Sequence, residues 1–232
     1  MHGARNSNKK INHFRRSEKS IDPRPVFFIA SEGERTEPDY FGIILAKLYP
    51  NIRMVMLGET KNLRGNDPTR LKKRIQGNLR EQINKIIQCE AWVVVDKDEW
   101  TVEQLNEVAN WVKGENHKKK PAFHGMALSN PCFEFWLLLH FKDENGEFDC
   151  DKCVSRLKRK YIPNYDKRLN DHNIIKLFSK NNIEYAIRRS EMKNEGLNED
   201  WPRQPGHTTV HILVQHILNA ANNISAQNVN KK

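Results

Sequence analysis

No apolar run in this chain approaches the roughly 20 residues that a transmembrane helix requires, so a membrane protein is not expected. Only four of its 232 residues are cysteine, at positions 89, 132, 150 and 153. So few in so long a chain fit reduced thiols better than a disulfide framework. Cys150-Asp-Lys-Cys153 has a metal-knuckle spacing, but no second CxxC or CxxxH pair accompanies it, which speaks against structural zinc. The phosphate-cradling patterns GxxxxGK[ST] and GxGxxG are missing, so the chain supplies no nucleotide-binding loop of its own. Ser31 has no GxSxG elbow around it. His207 and His211 stand four apart without the glutamate of HExxH, and they read as a helix face.

Acids are scarce in three places, and there the net charge of +10 concentrates. Residues 1–24 hold seven Lys/Arg against two acids and no hydrophobic stretch. They read as a flexible basic tail, not a secretory leader, and the expected location is the cytoplasm. Residues 61–80 and 152–168 each hold seven basic residues and a single acid. Such patches suit a polyanion, and nucleic acid is the commonest one. Lys72, Lys73 and Arg74 in the first patch, with Lys158, Arg159 and Lys160 in the second, are the expected backbone contacts. A solvated helix face is the other reading of a charge run.

Apolar segments alternate with amphipathic ones. Val26–Ala30, Ile52–Gly58, Ala91–Asp96 and Ala122–Ser129 predict four strands, apolar along most of their length. Helices are expected between them: Thr36–Tyr49 with Thr36 as cap, Asp67 to about Gln88, 101–114 stopped by Gly114, and then Pro131–Phe141. Strands buried on both faces and separated by helices define an α/β fold with a mainly parallel four-stranded sheet covered on both sides. This core spans residues 25–145. A helical C-terminal extension over 146–222, ending in the stripe Val210, Leu213, Val214, Ile217, Leu218, Ala221, and a tail over 223–232 complete the chain.

The carboxylates carry the chemistry. The first strand runs into Glu32, Glu34 and Glu37, and the third ends in Asp96-Lys-Asp98. Residues i and i+2 of an extended segment face one side, so Asp96 and Asp98 converge. In open parallel sheets the functional crevice lies beyond the carboxyl ends of the strands. If the first and third strands are neighbours, Glu32, Asp96 and Asp98 share a point there, and their mutual repulsion is relieved by a divalent cation. Oxygen-only ligands select Mg²⁺ or Mn²⁺, and metal-assisted phosphodiester hydrolysis is the reaction that suits this set beside basic surfaces. The structural reading of each cluster taken singly is helix capping, by Asp98 or Thr101 in one case and by Glu37 at a helix N-terminus in the other.

The stretches FFIASEGERTEPDYF, WVVVDKDEW, LSNPCFEFWLLLHF and QPGHTTVHILVQHIL together resemble the RloB-like family, within the wider Toprim fold. The resemblance implies a Toprim-like core with one glutamate after the first strand, taken by Glu32, and an Asp-x-Asp after the third, taken by Asp96 and Asp98. Glu37 resembles the second glutamate of overcoming-lysogeny-type nucleases. Glu134 either reaches the site from the fourth helix to complete a second metal, or serves only as an N-terminal helix carboxylate. Relatives resemble abortive-infection effectors encoded beside an ABC-type ATPase. The implied activity is a Mg²⁺-dependent nuclease in phage defence; the other reading is a non-catalytic adaptor subunit of that ATPase.

Overall fold

A computed structural model describes residues 24–59, 64–82, 88–97, 100–117, 122–143, 145–197 and 199–229. The basic tail therefore lies outside the described residues, as does Asp98. Strand β1 (Val26–Ser31) is buried at every position. It leads into α1 (Thr36–Asp39), a wider π-type stretch (Tyr40–Leu45) and α2 (Ala46–Leu48), which bring the chain back to β2 (Arg53–Met56). Then follow α3 (Pro68–Gln82), β3 (Cys89–Asp96), α4 (Val102–His117), β4 (Ala122–Asn130) and α5 (Phe133–Leu139). The remainder comprises α6 (Cys150–Arg156) with a π-type continuation (Leu157–Tyr161), α7 (His172–Lys176), α8 (Lys180–Lys193), β5 (His207–Thr208) and α9 (Val210–Val229).

The sheet has five strands in the order β2-β1-β3-β4-β5, parallel except for β5. The expected four strands are thus joined by a fifth, which pairs Thr208 with Ser129 and His207 with Asn130. Two residues inside a His- and Thr-containing turn carry no strand periodicity, so only the contact with β4 creates this element. Alternate side chains of the strands feed two cores. Phe27, Ile29, Trp92, Val94 and Ala127 meet α5, α8, α9 and the helix after β1. Val26, Phe28, Ala30, Ala91, Val93 and Val95 meet α3 and α4 through Leu71, Ile75, Leu105 and Val108. The C-terminal helices have no separate core, because Leu157, Ile183, Leu213 and Ile217 belong to the first of these two.

Local signals held where nothing distant competed. Asp67 caps α3 by accepting from the Arg70 N–H at 3.0 Å. Thr101 and Gln104 exchange side chain-to-backbone bonds of 3.0 and 3.3 Å, a capping box that opens α4. Gly114 does not stop α4, which runs on to His117. The Asn116 amide exchanges two 2.8 Å bonds with the His124 backbone, tying the extra turn to β4. Likewise α9 continues past Asn222 to Val229. No helix among the described residues is long and apolar enough to cross a membrane.

Candidate functional site

From β1 the chain passes first to β2 on one flank and later to β3 on the other, so the strand order reverses at β1. A reversal of this kind opens a crevice beyond the carboxyl ends of the two inner strands. Glu32 is the first residue past β1, and Asp96 is the last of β3. The register sets Ser31 opposite Val94. The Glu32 N–H then donates to the Val94 carbonyl at 3.0 Å, extending the ladder by one residue. In return, Glu32 Oε2 accepts from the Asp96 N–H at 3.1 Å and from the Trp100 indole N–H at 2.8 Å. Adjacent parallel strands thus hold the two acidic residues side by side.

Glu37 enters from α1. Its carboxylate accepts from the Gly33 N–H at 3.2 Å, and a methyl group at position 33 would collide with the carboxylate oxygens. A residue larger than glycine here would force the Glu37 carboxylate to move. Glu37 is buried, and burial is the main reason its pKa rises from 4.5 to about 7. The negative charges of Glu134 and Glu32 push the same way, while backbone N–H donors oppose them. A carboxyl balanced near neutrality is suited to taking up and releasing a proton.

Glu134 sits in the first turn of α5, buried, and accepts from the Tyr165 hydroxyl at 3.0 Å. Burial and then the Glu134 charge push the Tyr165 phenol far above its ordinary value, so it stays a donor. Thr36 is not the expected helix cap. Its hydroxyl donates to the Lys167 carbonyl at 2.9 Å and lies 3.1 Å from the Tyr165 hydroxyl. Asp39 accepts from the Leu169 N–H at 2.8 Å. These bonds fasten residues 165–169 across α1. Lys167 adopts a left-handed backbone, φ 68°, unusual for a residue with a Cβ. The negative charge of Glu134 is the main reason the Lys167 pKa is raised, with Asp96 contributing.

The outcome is an open cavity of about 450 Å³ lined by Glu32, Glu37, Asp96, Glu134, Asp166 and Lys167, among others. Four of the five expected acidic residues therefore meet in one place, and the fifth, Asp98, lies outside the described residues. Asp166 and Lys167 were not expected. The only sequence signal for them was an acid-base pair at the end of a basic patch, and nothing local says that this segment returns to β1.

The basic residues divide. Arg74 is buried, donates to the Gly65 carbonyl at 2.6 Å and to Asn66 at 2.9 Å, and lies 3.6 Å from Glu59. It braces the loop ahead of α3 and does not face solvent, contrary to the expected phosphate contact. Lys72 pairs with Glu107 of α4 at 2.6 Å, while Lys73 is exposed. Lys158, Arg159 and Lys160 are all exposed on the π-type stretch after α6. That stretch leads directly to Tyr165, Asp166 and Lys167.

The donor chemistry of the cavity fits a hard divalent cation, since its candidate ligands are carboxylate oxygens and, among the described residues, no His or Cys lines it. Among the described residues no three acidic, His or Cys side chains are grouped closely enough to hold a metal ion as they stand. Glu32 and Asp96 are two of the three expected ligands, and the position of the third is not described.

Fold and crevice together define an α/β protein with an acidic site at the switch point of a mainly parallel sheet. The chain belongs to the RloB-like protein family, which matches residues 27–217 and so takes in every element from β1 into α9. No curated protein and no solved structure matches it.

Proposed function

We propose that this protein is a Toprim-type nuclease that uses Mg²⁺ or Mn²⁺ to hydrolyse phosphodiester bonds of RNA or DNA. The observation that carries the reading is the pairing of Glu32 with Asp96 at adjacent strand ends, with Glu37 and Glu134 in the same cavity. Six carboxylates, those of Glu32, Glu34, Glu37, Asp96, Glu134 and Asp166, line this cavity, an electrostatically costly arrangement that a cation relieves. Glu32 and Asp96, joined by Asp98, are the residues that would hold it. When bound, such a cation supplies Lewis-acid polarisation of a phosphoryl group.

The chain's own groups account for the rest. Lys167 presents an ammonium to an incoming phosphate at the cavity wall. Glu37, with a pKa near neutrality, exchanges a proton within that cavity. Glu134 keeps Tyr165 and the strap behind it in place. Lys158, Arg159 and Lys160, exposed on the stretch that precedes the Tyr165–Lys167 segment, would add contacts to a polynucleotide backbone.

In this reading the protein is the effector of a cytoplasmic anti-phage, abortive-infection system. Nucleotide hydrolysis falls to an ABC-type ATPase partner, since no phosphate-binding loop occurs in the chain. The test is incubation of the purified chain with labelled RNA and DNA in Mg²⁺ or Mn²⁺, with and without the neighbouring ATPase. Metal-dependent cleavage that is lost in Asp96→Ala supports the enzyme. No cleavage under any condition, together with full defence by Asp96→Ala in cells, would establish the adaptor instead.

A further inference from the structure

Three of the four cysteines lie together. Cys132 occupies the residue before α5, two positions ahead of Glu134. Cys150 opens α6, and Cys153 follows one turn later on the same face. Helices α5 and α6 pack against one another, and the Cys132 thiol is in hydrogen-bond contact with both Cys150 and Cys153. None of the three is in a disulfide; Cys132 and Cys153 are buried, whereas Cys150 is half-exposed. The cluster adjoins the acidic cavity, because Cys132 directly precedes Phe133 and Glu134, both of which line it. Among the described residues the three sulfurs are not grouped closely enough to hold a metal as they stand.

We infer that Cys132 and Cys150 form an oxidation site, in which a hydroperoxide converts the pair to a disulfide. The half-exposed Cys150 is the sulfur that a small oxidant reaches. Its sulfur takes the terminal oxygen of the peroxide as the O–O bond breaks, giving Cys150 sulfenic acid and an alcohol, or water from hydrogen peroxide. The Cys132 sulfur then attacks the sulfenic sulfur, the S–O bond breaks, and water leaves with the thiol proton. In total, two thiols and one peroxide give one disulfide, one alcohol and one water. Two electrons pass from the sulfur pair to the peroxide. The two side chains are hydrogen-bonded, and the disulfide brings their sulfurs to about 2 Å. The bond ties the residue preceding α5 to the first residue of α6, and thereby restrains the turn that carries Glu134.

Cys89 serves as an internal reference, because it is buried in the opposite core under α3 and α4. The experiment treats the full chain with a modest excess of hydrogen peroxide, blocks remaining thiols and maps peptides by mass spectrometry without reduction. The expected product is a Cys132–Cys150 crosslink that reverses with dithiothreitol, while Cys89 and Cys153 remain alkylatable. Cys150→Ser, at the half-exposed position, should fold as wild type by circular dichroism yet lose the crosslink completely. Cys153→Ser should retain it. Recovery of wild type with Cys150 oxidised to sulfinic acid and no crosslink would overturn the proposal. So would a Cys150–Cys153 bond, or stoichiometric zinc retained on purification and lost in Cys150→Ser. None of these readouts depends on cleavage, so the result stands apart from the nuclease reading.

Discussion

The backbone N–H of Asp96 donates to the side chain of Glu32 at 3.1 Å, so the carboxylate at the end of one strand is positioned by the main chain of the next. The Asp96 side chain has no part in that bond. The two acids therefore differ in what their removal should do, and this separates chemistry from scaffolding.

Asp96→Ala should leave the melting temperature within a few degrees of wild type and abolish metal-dependent cleavage. Glu32→Ala should abolish cleavage too, but at a cost in stability. It strips the acceptor from the Asp96 N–H and the Trp100 indole, and losing partners to a charged group costs on the order of 2 kcal/mol here. Denaturant melts of both variants, run beside the cleavage assay, provide the comparison. Asp98→Asn should retain nucleic-acid binding while losing cleavage; wild-type defence by this variant would count against the nuclease.

Stability should carry the signature of Glu37. Its folded pKa, about 7, lies above the 4.5 of the free side chain, so the folded state holds the proton over a range where the unfolded state has released it. The stabilisation from that proton is fully present below pH 4.5 and declines as pH rises towards 7, by on the order of 3 kcal/mol if the shift is fully expressed. Glu37→Gln mimics the protonated form and should flatten the difference. Urea melts from pH 4.5 to 8, compared between the two proteins without metal, test this; parallel curves would refute it.

Gly33→Ala tests the close approach behind Glu37. The added methyl would overlap the carboxylate, which is buried and cannot swing clear without breaking its bond from the residue 33 N–H. The expected result is a loss of about 1–3 kcal/mol, as for overpacking generally, with cleavage reduced at least tenfold. Gly58, with open space around its Cβ position, is the control, and its change to alanine should be tolerated.

The basic residues should separate into two classes. Replacing Lys158, Arg159 and Lys160 together with glutamine should weaken binding to RNA and DNA of any sequence. It should also flatten the salt dependence, by roughly one unit of slope for each phosphate that is no longer neutralised. Arg74→Ala should instead destabilise the fold, because it empties a buried guanidinium site and unties Gly65 and Asn66. Filter binding across a salt series and a thermal melt distinguish the two. If Arg74→Ala melts normally but binds poorly, the assignment of that residue to the scaffold is wrong.

Much of this site was written in local sequence. The unbroken apolar runs of β1 and β3 identify strands buried on both faces, and a carboxylate following such a run must emerge at the sheet's end; Glu32 and Asp96 need no more than that. Asp67 and Thr101 likewise announce their helices, because a cap bonds residues only two or three positions away. Interactions between distant segments were not legible. Only the strand order made β1 and β3 neighbours. The burial that lifts the Glu37 pKa, the withdrawal of Arg74 from solvent and the growth of β5 against β4 arise from surfaces dozens of residues apart. The deepest instance is the strap from Tyr165 to Leu169, where bonds from Thr36, Asp39 and Glu134 draw Asp166 and Lys167 to the carboxylates. Periodicity records which side of an element is apolar, whereas long-range packing decides what covers it, and here that packing completes the cavity.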